Sequence, residues 1–290
     1  MSEHHRPAGT LVNPPWALEL TPKQAGWTYS SLRVLELRPG QSHTFDTGEE
    51  EMVVLPLAAR DLQVEVDGEP FALAGRDSVF AGPSDFVYAP RESEVTVRSA
   101  TDARVAFTGA KCNRRLTARY GPGTEVPVEL RGAGQCSREV RNFGAAGVFE
   151  ADKLIAVEVV TPAGNWSSYP PHKHDEDRPG EESVLEEIYY FEVGDGPTGP
   201  GLAYQRVYGT AERPIDVFAE VRTGDVVAIP HGWHGPSMAV PGYDLYYLNV
   251  MAGPSDDRAW LICDDPAHGW IRETWADQPV DPRLPMGGHT

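Results

Sequence analysis

Basic residues are scarce in this chain: 25 Lys and Arg stand against 43 Asp and Glu, a formal net charge of −18 over 290 residues. A duplex-binding protein needs a basic face to replace phosphate counterions, and no basic run exists here. Nucleic acid is therefore argued against, and so is an anionic membrane surface. An anionic substrate would have to find its positive charge locally, in a metal or a few Arg and Lys residues. Cysteine is nearly absent: Cys112, Cys136 and Cys263 are odd in number and lack C-x-x-C spacing. That excludes a disulfide framework or a thiolate zinc site and fits a reducing cytosol. No apolar run approaches the roughly 18 residues that span a bilayer. The start, Met1-Ser-Glu-His-His-Arg-Pro7, lacks the apolar segment of a signal peptide. A soluble cytoplasmic protein is expected, with a homo-oligomer left open.

What the sequence has in quantity is Gly and Pro, 29 and 26 residues, spaced so that they punctuate it about every ten residues. Between them lie short alternating runs such as Leu62-Gln-Val-Glu-Val66, followed by Asp67-Gly68 as a hairpin turn. This predicts many short strands in a sandwich or barrel. Residues 1–28 read as a polar, Pro-rich extension with His4 and His5 in a frayed tail. Residues 29–147 read as a first barrel plus a connector, and 148–290 as a second barrel with an irregular Trp-rich tail. The connector holds Arg131-Gly-Ala-Gly-Gln-Cys-Ser-Arg138. It is read as a structural linker rather than an anion-binding loop, because no strand–helix context supports a P-loop.

The halves share an order of features. Pro39-Gly-Gln-Ser-His43 and Glu51-Met-Val-Val54 run parallel to Pro162-Ala-Gly164, His172 and Glu187-Ile-Tyr-Tyr190. Gly75-Arg-Asp-Ser-Val79 matches Gly224-Asp-Val-Val-Ala228. A duplicated β-barrel follows, in which only the second copy keeps metal ligands.

Those ligands centre on Tyr169-Pro-Pro-His-Lys-His-Asp175. In an extended backbone His172 and His174 point to one face and Lys173 to the other. Glu186 and Glu187 open the next strand and face opposite sides, so one alone can join the histidines. Glu187 shares its face with Tyr189 and Phe191 and is taken as the ligand. His234 completes three imidazoles and a carboxylate. His43, His268 and His289 are read as non-ligands. The acidic insert 175–186 is read as a solvated loop, with a lid as the alternative.

The spacing of Gly164, His172, His174, Glu187 and Gly194, then Gly224, Pro230, Gly232 and His234, resembles the two cupin motifs. Together with Gln205-Arg-Val-Tyr208, Pro230-His-Gly-Trp-His234 and Tyr246-Tyr-Leu-Asn-Val-Met-Ala-Gly253, it resembles the 5-deoxy-glucuronate isomerase family. That family is sister to the 5-keto-4-deoxyuronate isomerases. The resemblance implies an all-β bicupin of double-stranded β-helix (jelly-roll) type. It also implies an aldose–ketose isomerase of myo-inositol catabolism, turning 5-deoxy-D-glucuronate into 2-deoxy-5-keto-D-gluconate. One divalent ion per chain is expected, Zn2+ first, with Mn, Fe or Ni also suited to the donor set. Candidate bases are Glu186, His231, Tyr247 and a metal-bound hydroxide. Candidate contacts to the anionic sugar acid are Lys173, Gln205, Arg206, Asn249 and Arg258. A related uronate ketol-isomerase, a cupin dioxygenase and a non-enzymatic sugar-binding cupin stand as alternatives.

Overall fold

The Gly- and Pro-punctuated apolar runs form strands in the computed structural model, which describes residues 3–287; His289 lies outside the described residues. In the N-terminal half, Ser30–Leu37, Glu50–Val66 and Ala103–Lys111 pair antiparallel at the centre of a nine-stranded sheet. In the C-terminal half, Ile155–Thr161, Glu186–Val193 and Leu245–Ala252 pair antiparallel within a seven-stranded sheet. A six-stranded sheet carrying Ala203–Tyr208, Asp216–Val221 and Trp233–Ala239 forms the opposite wall of that barrel. The chain is thus an all-β duplicated cupin.

The two barrels meet sheet against sheet. One continuous apolar cluster joins Leu32, Val34, Val53, Leu55 and Tyr88 of the first to Ala156, Ile188, Tyr190, Tyr246 and Leu248 of the second. Both faces of these sheets are therefore covered, one by the barrel's own interior and one by the other barrel. This is why Leu245–Ala252 is buried at every position while Asp216–Val221, on an outer wall, alternates exposed and buried. The doubled tyrosines divide as alternation predicts. Tyr190 and Tyr246 join the inter-barrel cluster, and Tyr189 and Tyr247 pack in the cluster lining the second barrel's interior.

A pair of carboxylates ties the barrels reciprocally. Glu186 of the second barrel accepts the backbone N–H groups of Thr28, Tyr29 and Ser30 at 2.7–2.9 Å, where the first barrel's opening strand begins. Glu51 of the first accepts those of Asp152, Lys153 and Leu154 at 2.6–2.8 Å, where the second barrel's opening strand begins. The repeat thus aligns Glu51 with Glu186 rather than with Glu187. The residue one step further on is Met52 in the first barrel and Glu187 in the second. Met52 packs with Trp16, Val54, Val87 and Phe107 in an apolar interior, and His43 lies edge-on to Trp16 at 5.1 Å. The first barrel is filled with side chains where the second is polar.

Three expectations about boundaries change. The connector is not a bare linker: Val128–Arg131 and Arg138–Gly144 are strands of the second barrel's sheet. The N-terminus does not fray at His5, since His5 and Arg6 pair with Val227 and Val226 at that sheet's edge, and His5 Nε2 lies 3.0 Å from Asp225 Oδ2. The 175–186 insert is a small hairpin, Asp175–Arg178 against Glu182–Val184, built over the buried carboxylate of Glu182. No helix among the described residues is long and apolar enough to cross a membrane.

Removing the Glu186 carboxylate leaves three backbone donors without their acceptor at the barrel junction. Glu186→Ala is expected to lower stability by about 2–4 kcal/mol, on the scale of lost hydrogen bonds to a charged group. Denaturant unfolding measures that loss, and metal content should stay at the wild-type stoichiometry. A variant that keeps its stability but loses its metal would put Glu186, not Glu187, in the metal site.

Candidate metal centre

Strand register brings the predicted ligands together. His172 pairs with His234 across two strands of the outer wall, and Glu187 lies on the facing sheet opposite Met251 and Ile229. His174, Glu187 and His234 are all buried, and one potential ligand atom from each lies within 4.8 Å of the others. Glu187 Oε2 is 3.0 Å from His174 Nε2 and 3.1 Å from His234 Nε2. His234 Nε2 is nonetheless out of line for a hydrogen bond and has no partner of that kind among the described residues. A buried nitrogen aimed at a shared point, rather than at a hydrogen-bonding partner, fits a metal ligand. His172 stands beside this trio, its ring centroid 4.4 Å from that of His234 and 6.4 Å from that of His174.

All three imidazoles are oriented the same way. Nδ1 of His172, His174 and His234 faces the backbone carbonyls of Pro170, Leu185 and Gly232 at 3.4, 3.3 and 3.2 Å. A proton on Nδ1 donated to those carbonyls leaves each Nε2 lone pair free to ligate. Burial raises the Glu187 carboxyl, but His234 and His174 outweigh it and hold the group at about 2. Burial lowers His174, and the Glu187 hydrogen bond and charge reverse this, so its net shift is upward. His172 is pushed well below its ordinary value by burial and by the two neighbouring imidazoles. The carboxylate that favours a proton on His174 would equally favour a cation held between the rings. The donor set suits a divalent ion of the zinc type.

The barrel interior beyond the ligands is polar. Tyr189 and Tyr247 stack at 4.9 Å, Tyr189 Oη is 2.9 Å from Ser168 Oγ, and the buried Asn249 Nδ2 has no hydrogen-bond partner among the described residues. Burial pushes the Tyr247 hydroxyl up to about 12. Gln205 is buried and accepts a hydrogen bond from Ser237. These residues share the interior as alternation predicts.

Five other sequence candidates lie elsewhere or are already committed. The Glu186 carboxylate holds the barrel junction. His231 neighbours His4, in the turn that precedes the N-terminal strand His5–Arg6. Lys173, on the face opposite its flanking histidines, is paired with Asp175 at 2.7 Å and Glu182 at 2.8 Å. Arg206 points outward and pairs with Asp216. Arg258 donates to the carbonyls of Leu154, Phe149 and Gly144 at 2.7–2.8 Å, clamping the chain that enters the second barrel. Glu186, Lys173, Arg206 and Arg258 thus each have their charged group held by protein partners.

The sequence reading missed arginines in the supposed linker and the tail. Arg131, Arg138 and Arg272 line a cavity of about 160 Å3 with His172, Trp260 and Ile262. Larger clefts exist, of about 870 Å3 between the barrels and 580 Å3 on the first barrel, but among the described residues the one group of three His, Cys, Asp or Glu that converges as a metal site would is His174, Glu187 and His234. The signal available was Arg131-Gly to Arg138 itself, which had been assigned to a connector.

The profile of the KduI/IolB family matches residues 6–271. The chain belongs to the KduI/IolB family. It is 42% identical over 259 residues to the 5-deoxy-glucuronate isomerase of Geobacillus kaustophilus strain HTA426, covering 89% of this chain and 91% of that protein. It is 38% identical over 256 residues to the 5-deoxy-glucuronate isomerase of Bacillus subtilis strain 168, covering 88% and 92%. The crystal structure of an IolB-like protein from Salmonella typhimurium LT2 superposes with a TM-score of 0.84 at 36% identity, covering 92% of this chain and 98% of that one. The oxalate decarboxylase of Lactobacillus farciminis shares the fold alone, with a TM-score of 0.61 at 12% identity over 85% and 82% of the two chains.

For this KduI/IolB member, His174→Ala and Glu187→Ala are each expected to abolish metal retention through gel filtration, read by elemental analysis. His172→Ala is expected to weaken affinity by at least about 10- to 100-fold, the loss that removing even a ligand's supporting partner brings. Full metal occupancy in His174→Ala after exhaustive dialysis would refute the site.

Proposed function

We propose that this protein is a metal-dependent 5-deoxy-glucuronate isomerase acting in the cytoplasm, in the catabolism of myo-inositol. The observation that carries this reading is the buried His174–Glu187–His234 cluster in the second barrel of a KduI/IolB chain. The ligand set we assign is His172, His174, Glu187 and His234, with zinc as the resident ion and manganese, iron or nickel compatible with the same donors. When bound, the ion supplies Lewis acidity and positive charge to the substrate's carbonyl and neighbouring hydroxyl oxygens.

The reaction moves a carbonyl by one carbon. A C–H bond breaks at C2 and another forms at C1, while a hydroxyl proton passes from the C2 oxygen to the C1 oxygen. No electron leaves the substrate, so no external oxidant is required. The obstacle is the enediolate, whose oxygens carry charge in the transition state. Tyr247 holds its proton at neutral pH and can donate it as a hydrogen bond to such an oxygen, then recover it as the product carbonyl forms. Its stacking on Tyr189 fixes the ring, which limits the motion that a loosely held donor would need. Asn249 and Gln205 are assigned to the sugar hydroxyls, Asn249 through its spare buried donor and Gln205 from the opposite wall. Glu186 is not assigned as the base, because its carboxylate is engaged by three amides.

Incubation of purified metal-loaded protein with 5-deoxy-D-glucuronate under anaerobic conditions is expected to give 2-deoxy-5-keto-D-gluconate, followed by proton NMR. Strict dependence on oxygen would replace this reading with a dioxygenase, and binding without turnover would leave a sugar-binding protein. Tyr247→Phe is expected to lower kcat about 100-fold or more, the scale of losing one oxyanion donor, with metal content unchanged. Arg206→Met, whose guanidinium faces outward, should stay within about twofold of wild type in kcat/KM.

A further inference from the structure

Three guanidinium groups line the cavity beside His172, and their partners differ. Arg131 is bonded to Glu129 through Nε at 2.9 Å and Nη2 at 2.7 Å, and its guanidinium lies over the ring of Trp260. Arg272 is bonded to Asp264 through Nε at 2.5 Å and Nη2 at 2.7 Å, and lies over Trp275. Arg138 has no carboxylate within ion-pairing distance among the described residues, although it is only 5% exposed. Its Nη1 donates to the carbonyl of Cys136 at 3.0 Å, and its guanidinium also lies over the Trp275 ring, 5.5 Å from the centroid. Two acidic partners for three arginines leave one buried positive charge in the cavity, next to a metal ligand.

The surrounding chain is shaped to keep Arg138 there. Gly132, at φ +78°, passes so close that a Cβ would sit 2.6 Å from Arg138 Nη1 and 2.2 Å from the Cys136 carbonyl oxygen. The loop is closed from outside by the C-terminal tail, where Gly134 N–H donates to the Pro279 carbonyl at 2.8 Å. Trp260, also lining the cavity, keeps a buried indole N–H with no hydrogen-bond partner among the described residues. A buried, unpaired cation is costly unless something completes it. A planar guanidinium fork suits a carboxylate.

We propose that Arg138 recognises the carboxylate of the open-chain sugar acid and sets the enzyme's preference for acids over neutral sugars. This inference rests on the isomerase reading for the identity of the acid. Arg131 and Arg272 position it, since their own charges are already paired. Arg138 contacts substrate at the end remote from the reacting carbons, so it is a specificity residue and not an acid or base. Burial lowers the Arg138 pKa to about 10, and it stays charged at neutral pH.

The test compares acid with amide in the metal-loaded protein. Isothermal titration with D-glucuronate and D-glucuronamide needs no turnover, and the wild type is expected to prefer the acid at least tenfold. In Arg138→Met, affinity for the acid is expected to fall on the order of 100-fold, as for truncation of a buried charge pair, with the amide nearly unchanged. Arg138→Lys should retain part of the preference, which a purely structural role would not produce, and it decides the matter if the methionine variant misfolds. With 5-deoxy-D-glucuronate the loss should follow kcat/KM while metal content holds. Equal losses for acid and amide, or an acid preference that survives in both variants, overturns the proposal. Acid preference lost with Arg138 in a wild type that turns over no 5-deoxy-glucuronate would leave this proposal standing and remove the isomerase reading instead.

Discussion

The pleat at Glu186–Glu187 is the constraint on which the architecture and the site both depend. Two adjacent carboxylates in one strand must point to opposite faces of its sheet. One face of this sheet is the interior of the second barrel and the other is the junction with the first. Glu187 therefore meets His174 and His234, while Glu186 meets the amides of residues 28–30. A slip of one residue in this strand would exchange the two roles, placing an amide-binding carboxylate among the histidines and a metal ligand at the junction. Register is pinned on both sides, by pairing with Leu245–Ala252 and with Val226–Ile229. The candidate metal site and the attachment of the barrels are consequences of the same pairing.

Comparison of the halves shows how duplication was put to use. The junction carboxylate is present twice, as Glu51 and Glu186, each receiving the start of the other barrel. The next residue, which faces the interior, is a methionine in the first half and a glutamate in the second. Around Met52 the first barrel is closed by Trp16, Phe45 and Phe107, whose rings meet edge to face at 5.1–5.3 Å. Such an interior stabilises through dense apolar burial. The second barrel devotes its interior to imidazoles, tyrosine hydroxyls and amides, groups that are costly to bury unless satisfied. The inter-barrel cluster couples the two, so the filled barrel supports the polar one.

Much of this was legible in the sequence, and what was not has a common cause. Strand alternation placed His172 and His174 together, put Lys173 opposite them and separated Tyr189 from Tyr190, because local periodicity alone decides these. Choosing Glu187 over Glu186 rested on the same argument. The charges read as candidate substrate contacts, Lys173, Arg206 and Arg258, have partners that composition does not reveal: the hairpin carboxylate of Glu182 for Lys173, Asp216 on the next strand for Arg206, and the Leu154 and Gly144 carbonyls about a hundred positions away for Arg258. Arg138 was hidden for the converse reason. Its segment has the composition of a linker, and only pairing with Arg131 and with Ile155–Thr161 turns it into a strand of the sheet that carries Glu187. His5 was lost to the same limit, since an edge strand of two residues carries no periodicity.

The arginine cavity also resolves a tension in the overall charge. A chain of net charge −18 should repel an anionic substrate. At physiological ionic strength, however, exposed charges are screened over about 8 Å, while buried ones are screened much less. Most exposed acids on this surface therefore have little reach into the cavity. Behind its lining, Glu129 and Asp264 each pair with one arginine, and Arg138 has no carboxylate partner among the described residues. What an approaching carboxylate meets at short range is one positive charge in a low-dielectric setting, beside a cluster able to hold a divalent cation. Attraction at the site then depends on how few carboxylates enter the cavity and not on the balance of the whole chain. The same arithmetic makes each pairing partner matter: withdrawing Glu129 or Asp264 would strengthen the local field but release the arginine it holds in place. Recognition here requires one free cation held between two that are not.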